Sequence, residues 1–173
     1  MSNDPKSVTV NVILLSDDPV TFDIESNDVP KDSEGNLIFE NKRHPGFKVH
    51  FDLDDRTGKD YVFPQTSKKD DAIFSKLGDS GCPTSGQEVF KPITVKPHRQ
   101  TLIVDNPNVE PALGKFRYTL QVGLRGDSKY LPLDPGGVNQ NGPTQPFSKA
   151  ALLIAGGVMG AVLALGAEAL LFN

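Results

Sequence analysis

Strict alternation of apolar and polar side chains, repeated at three separate places, constrains this chain more than any other feature. In SVTVNVILL, Val8, Val10, Val12 and Leu14 fall on one face, with Thr9 and Asn11 opposite. In FKVHFDL, Phe47, Val49, Phe51 and Leu53 alternate with Lys48, His50 and Asp52. In FRYTLQV, Phe116, Tyr118, Leu120 and Val122 alternate with Arg117, Thr119 and Gln121. A period of two puts successive side chains on opposite sides of an extended backbone, so each run predicts a strand with one buried face. Shorter candidates are Val20–Ile24, Leu37–Phe39, Tyr61–Phe63, Pro92–Val95, Thr101–Asp105 and Lys129–Leu133.

The intervening stretches DSEGN, DDRTGK, GDSGCPTSG, NPNVEPALG and LRGDS carry the Gly, Pro, Asn and Asp that turns need. Roughly eight short strands with no long helix predict an all-β antiparallel sandwich over residues 1–135, with one short helical turn at DDAIFSKLG. The run LGKFRYTLQV followed by KYLPLDP resembles the last two strands of small bacterial immunoglobulin-like or cupredoxin-like domains. More loosely it resembles the DP-EP type, whose final strand ends in Leu-Asp-Pro, here Leu133, Asp134 and Pro135. That resemblance covers the last third of the domain and implies an immunoglobulin-like sandwich. It implies little about function, because such sandwiches host many roles.

Charge excludes one class of partner. The net charge is −4 and the lysines are interleaved with Asp and Glu, which leaves no basic stripe for a nucleic acid. A single cysteine, Cys82, permits no intramolecular disulfide and suits a reducing compartment. The start, MSNDPKSVTVNVILL, lacks the basic region, helical apolar core and small-residue cleavage site of a signal peptide.

The stretch GDSGCP resembles the Gly-Asp-Ser-Gly-Gly-Pro signature of chymotrypsin-like serine proteases, which would make Ser80 a nucleophile. Serine attack also needs a histidine base and a carboxylate to orient it. His44, His50 and His98 sit in KRHPG, KVHFD and KPHRQ, none similar to the family's histidine context, and Cys82 replaces a signature glycine. A surface loop is the better expectation. Blue copper needs two histidines and a cysteine thiolate, and the cupredoxin resemblance implies that cysteine just beyond a Tyr-x-Tyr-like strand, where Val122 and Gly123 stand instead. Zinc ligand spacing is missing too. For a calcium loop counted from Asp52, glycine falls seventh and Phe63 occupies the twelfth position, where the EF-hand needs a sixth glycine and a twelfth glutamate. Arg125–Asp127 spells RGD within a turn, and no phosphate-binding loop or dinucleotide fingerprint occurs. No catalytic residue, metal or cofactor is expected.

The end of the chain is a different material. Residues 136–149, GGVNQNGPTQPFSK, have the composition of a polar linker. Ala150 to Phe172 contains one ionisable residue, Glu168. As a helix this run would span about 34 Å, enough for a hydrocarbon core of about 30 Å. It predicts one transmembrane helix. Lys149 at its start, with no signal peptide, places the sandwich in the cytoplasm and the C-terminus across an inner or intracytoplasmic membrane. On such a helix Gly156, Gly160, Ala164 and Glu168 share one stripe, and the G-x-x-x-G pair predicts helix–helix association.

These features together predict a tail-anchored, non-catalytic accessory subunit of a larger membrane complex. By analogy the hosts are respiratory or photosynthetic assemblies, with other membrane subunits and lipid as partners. Edge strands and the Lys76–Gly86 loop are the expected contact surfaces. The alternatives are a membrane-tethered module that recruits a soluble partner, and an enzyme with a cluster around His44, His50 or His98.

Overall fold

The computed structural model describes residues 4–41 and 45–141. The chain divides into two units, Met1–Gly142 and Pro143–Asn173, and the second lies outside the described residues. The described strands are β1 (Lys6–Asp17), β2 (Val20–Glu25), β3 (Leu37–Asn41), β4 (Phe47–Asp55), β5 (Tyr61–Val62) and β6 (Ile73–Leu77). They continue with β7 (Lys91–Val95), β8 (Thr101–Asn106), β9 (Gly114–Leu124), β10 (Leu131–Leu133) and β11 (Gly136–Asn141).

The alternating runs build the centre. β1, β4 and β9 are the three long strands, and Val8, Val10, Val12, Val49, Phe51, Phe116, Tyr118, Leu120 and Val122 all turn into one core. Two sheets close on that core. The first runs β2-β1-β4-β8-β7. The second is organised by β9, which carries β11 and β10 along one edge and β6 and β5 along the other, while β3 flanks β11.

Both sheets are mixed, which corrects the antiparallel expectation. β1 and β4 pair in parallel from Lys6–Phe47 to Leu14–Asp55, and β11 pairs in parallel with β3 from Gly137–Leu37 to Asn141–Asn41. Between β1 and β4 the chain passes through β3 in the opposite sheet, and that crossing supplies the long connection a parallel pair needs. The register places Val8 beside Val49, Val10 beside Phe51 and Val12 beside Leu53, so both strands bury the same face.

The second correction concerns helices. Among the described residues no helix is long and apolar enough to cross a membrane. Among the described residues the fold is therefore two mixed β-sheets. The expected helix at 150–172, with Gly156, Gly160, Ala164 and Glu168, lies outside the described residues.

Two local differences matter for the surface. A 3₁₀ turn occupies Thr66–Asp71, and Ile73–Leu77, expected within a helical turn, is strand β6 paired with β9 from Ile73–Leu120 to Leu77–Phe116. Gly136–Asn141, expected at the start of a linker, is strand β11.

An aromatic cluster fills the middle of the core. Phe90 stands edge-on to Phe39, Phe51, Phe116 and Tyr118, with ring centroids 5.1–5.7 Å apart. Such geometry lets the positive ring edge meet a negative ring face. Phe90 precedes β7 in an irregular segment, held there because its backbone N–H and that of Val89 donate to the buried Ser75 hydroxyl. The Tyr118 hydroxyl is buried with no hydrogen-bond partner, and burial raises its pKa.

Candidate functional site

Since β9 turns Phe116, Tyr118 and Leu120 inward, Arg117 and Thr119 fall on the other face of its sheet. Three short segments meet there: the Gly78–Gly86 loop after β6, the Asp32–Asn36 turn before β3, and Asp134–Pro135 between β10 and β11. They enclose two cavities. One, of about 280 Å³, is lined by Asp79, Gly81, Cys82, Arg117, Tyr118, Asp134 and Pro135. The other, of about 230 Å³, reaches from Arg117, Asp134 and Pro135 across Asn36 and Lys31 to Phe22 and Ile24 on edge strand β2. Arg117, Asp134 and Pro135 form a wall common to both.

Each wall has a local cause. Asp32 folds its own turn: Oδ1 accepts the backbone N–H of Glu34 and of Asn36, both at 2.9 Å, and Oδ2 accepts Asn36 Nδ2 at 3.0 Å. Gly35 takes φ of +83°, a conformation that a side chain would strain. Burial disfavours the Asp32 carboxylate, yet the Asn36 side chain and the Asn36 and Glu34 N–H groups outweigh it, and its pKa is lowered. Asp79 of the GDSGCP loop accepts Arg117 at 2.9 Å and lies 3.5 Å from Lys115 Nζ, which also reaches Glu34 at 3.1 Å. Both cations of β9 are thus neutralised by flanking loops.

Cys82 faces Asp134. The carboxylate accepts the thiol, and this hydrogen bond, with burial and the Asp134 charge, raises the thiol pKa against the opposing pull of Arg117. Thr119 also donates to Asp134. A thiolate is the nucleophilic form of cysteine, so the Asp134 carboxylate disfavours the reactive form of Cys82. The cleft presents oriented hydrogen-bonding groups on β9 and its flanking loops, which suits recognition of polar groups.

The histidines lie elsewhere. His50 Nε2 is 3.2 Å from Ser7 Oγ, and His98 Nδ1 accepts the N–H of Gln100 at 3.0 Å. Burial, followed by Lys96, lowers the pKa of His50 against the pull of Asp52. Neither cavity is lined by histidine, no hydrogen bond joins Ser80 to His50 or His98, and His44 lies outside the described residues. The acidic Asp52–Asp60 stretch is folded on itself, with Asp55 accepting Thr57 N–H, Thr57 Oγ1 and Tyr61 N–H. Among the described residues no group of three His, Cys, Asp or Glu side chains is placed to hold a metal ion.

The expected contact loop Lys76–Gly86 contributes Asp79, Gly81 and Cys82 to this cleft. Sequence reasoning missed Arg117, Asp134, Asn36 and Lys31 as parts of one surface. The available signal was Arg117 and Thr119 on the polar face of an otherwise apolar strand. The expected helix–helix residues Gly156, Gly160, Ala164 and Glu168 lie outside the described residues. No protein-family model matches the chain, and no curated protein matches it in sequence.

Proposed function

We propose that the protein is a non-catalytic accessory subunit whose β-rich body docks onto a larger assembly through the Arg117–Asp134 cleft. The observation that carries this reading is the common wall of the two cavities. In that wall Arg117 is paired with Asp79 of the flanking loop, Asp134 accepts the Thr119 hydroxyl, and the neighbouring Cys82 has its thiolate disfavoured by Asp134. Preformed polar surfaces of this kind give specificity at little ordering cost. The host expected from the sequence is a membrane complex.

Extraction of the source material in mild detergent, followed by native electrophoresis, tests the proposal. Co-migration of the wild-type chain with a defined larger assembly is expected. An Asp79→Ala/Arg117→Ala variant should migrate alone. Migration of the wild type as a free chain would overturn the accessory role, and an unaffected double variant would overturn the cleft as the docking surface.

A further inference from the structure

β11 is held differently from the strands that build the core. It occupies the slot between β9 and β3, with backbone ladders on both sides. Of Gly136 to Gln140, Val138 alone is apolar, and it is only partly buried. Apolar burial, the main driving force for fixing a strand, is therefore nearly absent. The glycines cannot be exchanged for larger residues to supply it, because a Cβ on Gly137 would lie 2.4 Å from Cζ of Phe116.

Side-chain amides take over the anchoring. Asn106 Nδ2 donates to Asn139 Oδ1 at 2.8 Å, Asn139 Nδ2 returns a bond to Asn106 Oδ1 at 3.0 Å, and it also reaches the Ala112 carbonyl at 2.7 Å. Asn108 Nδ2 donates to the carbonyls of Phe39 and Gln140, while its Oδ1 is buried without a partner. Hydrogen bonds replace bonds to water and so hold a strand only weakly, and an orphaned buried oxygen subtracts from the gain. Among the described residues β3 in turn has no ladder neighbour but β11 and a single bridge from Leu37 to Lys31. At the near end of β11, Asp134 and Pro135 interrupt the strand and form the wall common to both cavities.

We propose that β11 is a strap that opens locally about Asp134–Pro135, baring the edge of β3 and the ring of Phe116 while the β1–β4 ladder stays closed. Opening withdraws Gly136 from the lining of the second cavity, so that cavity is complete only when the strap is shut. This holds whatever the cleft binds.

Residue-resolved hydrogen exchange on the full chain tests it. The amides of β11 and those of β3 directed at it should exchange at one common rate, roughly tenfold or more faster than amides of β1 and β4. Asn139→Ala should speed both strands further. Val138 and Ile38 are Cα partners, so an oxidised Cys82→Ser/Ile38→Cys/Val138→Cys variant should slow both, and reduction should restore the wild-type rates. Exchange of β11 as slow as that of β1 and β4 in the wild-type chain would overturn the strap. Fast exchange that the oxidised lock leaves unchanged would overturn it as well.

Discussion

The Cys82 thiol shares the Asp134 carboxylate with Thr119, and a carboxylate beside a thiol penalises the thiolate, the form that reacts. Asp134→Asn removes both the accepting charge and its repulsion, so the thiol pKa should fall. Alkylation by iodoacetamide at fixed neutral pH should then accelerate, by about two- to fivefold once lower nucleophilicity is offset against a larger thiolate fraction. Arg117→Gln should slow it, since the guanidinium opposes the rise. An unchanged rate in Asp134→Asn would remove the carboxylate as the cause. Steric limits act at the same scale on β11. The ring that a Gly137 side chain would strike belongs to Phe116, itself packed edge-on against Phe90, so it has no room to yield. Gly137→Ala should therefore cost about 1–3 kcal/mol in a urea titration, as overpacked cores do. A loss within 0.5 kcal/mol would mean that the backbone shifts freely there.

β6 and β11 are the two elements that the sequence hid, for different physical reasons. In DDAIFSKLG the strand Ile73–Leu77 follows directly on a 3₁₀ turn, and only Ile73 and Ser75 of its alternating face are buried. A polar Ser75 in the buried position breaks the apolar period, because its hydroxyl serves the backbone of Val89 and Phe90. β11 shows no apolar period at all, and GGVNQN reads by composition as a linker. Its strand conformation comes from two long-range ladders and the Asn106–Asn139 exchange, none of them visible locally. By contrast β1, β4 and β9 were legible, since one fully buried face writes a period of two into each. Within the candidate cleft only the Lys76–Gly86 loop was legible. Arg117, Asp134 and Asn36 are too far apart in sequence for spacing to join them. Asn139→Ala takes the Oδ1 acceptor from Asn106 Nδ2 and the side-chain donor from the Ala112 carbonyl in a buried setting, while Asn106 Oδ1 keeps the Asn108 N–H, at a cost of about 1–3 kcal/mol. The Asn106→Ala/Asn139→Ala double variant should cost less than the two single changes added together, because each single change already breaks the exchange. Additive losses in chemical denaturation would show that the pair does not act as a unit.

For the molecule as a whole, alternation leaves strand direction open. A period of two is the same read from either end, so the parallel β1–β4 and β3–β11 pairings could be found only in the assembled sheets. What the assembled body adds beyond the core is a set of surface charges shifted in one direction. The Lys59 ammonium, with help from the Tyr61 hydroxyl, lowers the pKa of Asp17, and the Arg125 guanidinium lowers that of Asp60. Asp32 is lowered as well, by the bonds of its own turn. A carboxylate with a depressed folded pKa adds stability above its unfolded value near 3.8, and that stability is lost as pH falls through the folded value. His50 acts in the same sense at higher pH. Its folded pKa lies below 6.5, so the fold favours neutral imidazole and loses that preference as acid protonates it. Melting temperature should accordingly fall in two stages on acidification, a small one beginning below about pH 6.5 and a larger one below about pH 4. His50→Gln should erase the first stage and keep the second, while Asp60→Asn should make the second shallower and leave the first intact. A single acid transition shared by the wild type and His50→Gln would show that burial of His50 carries no linkage to folding.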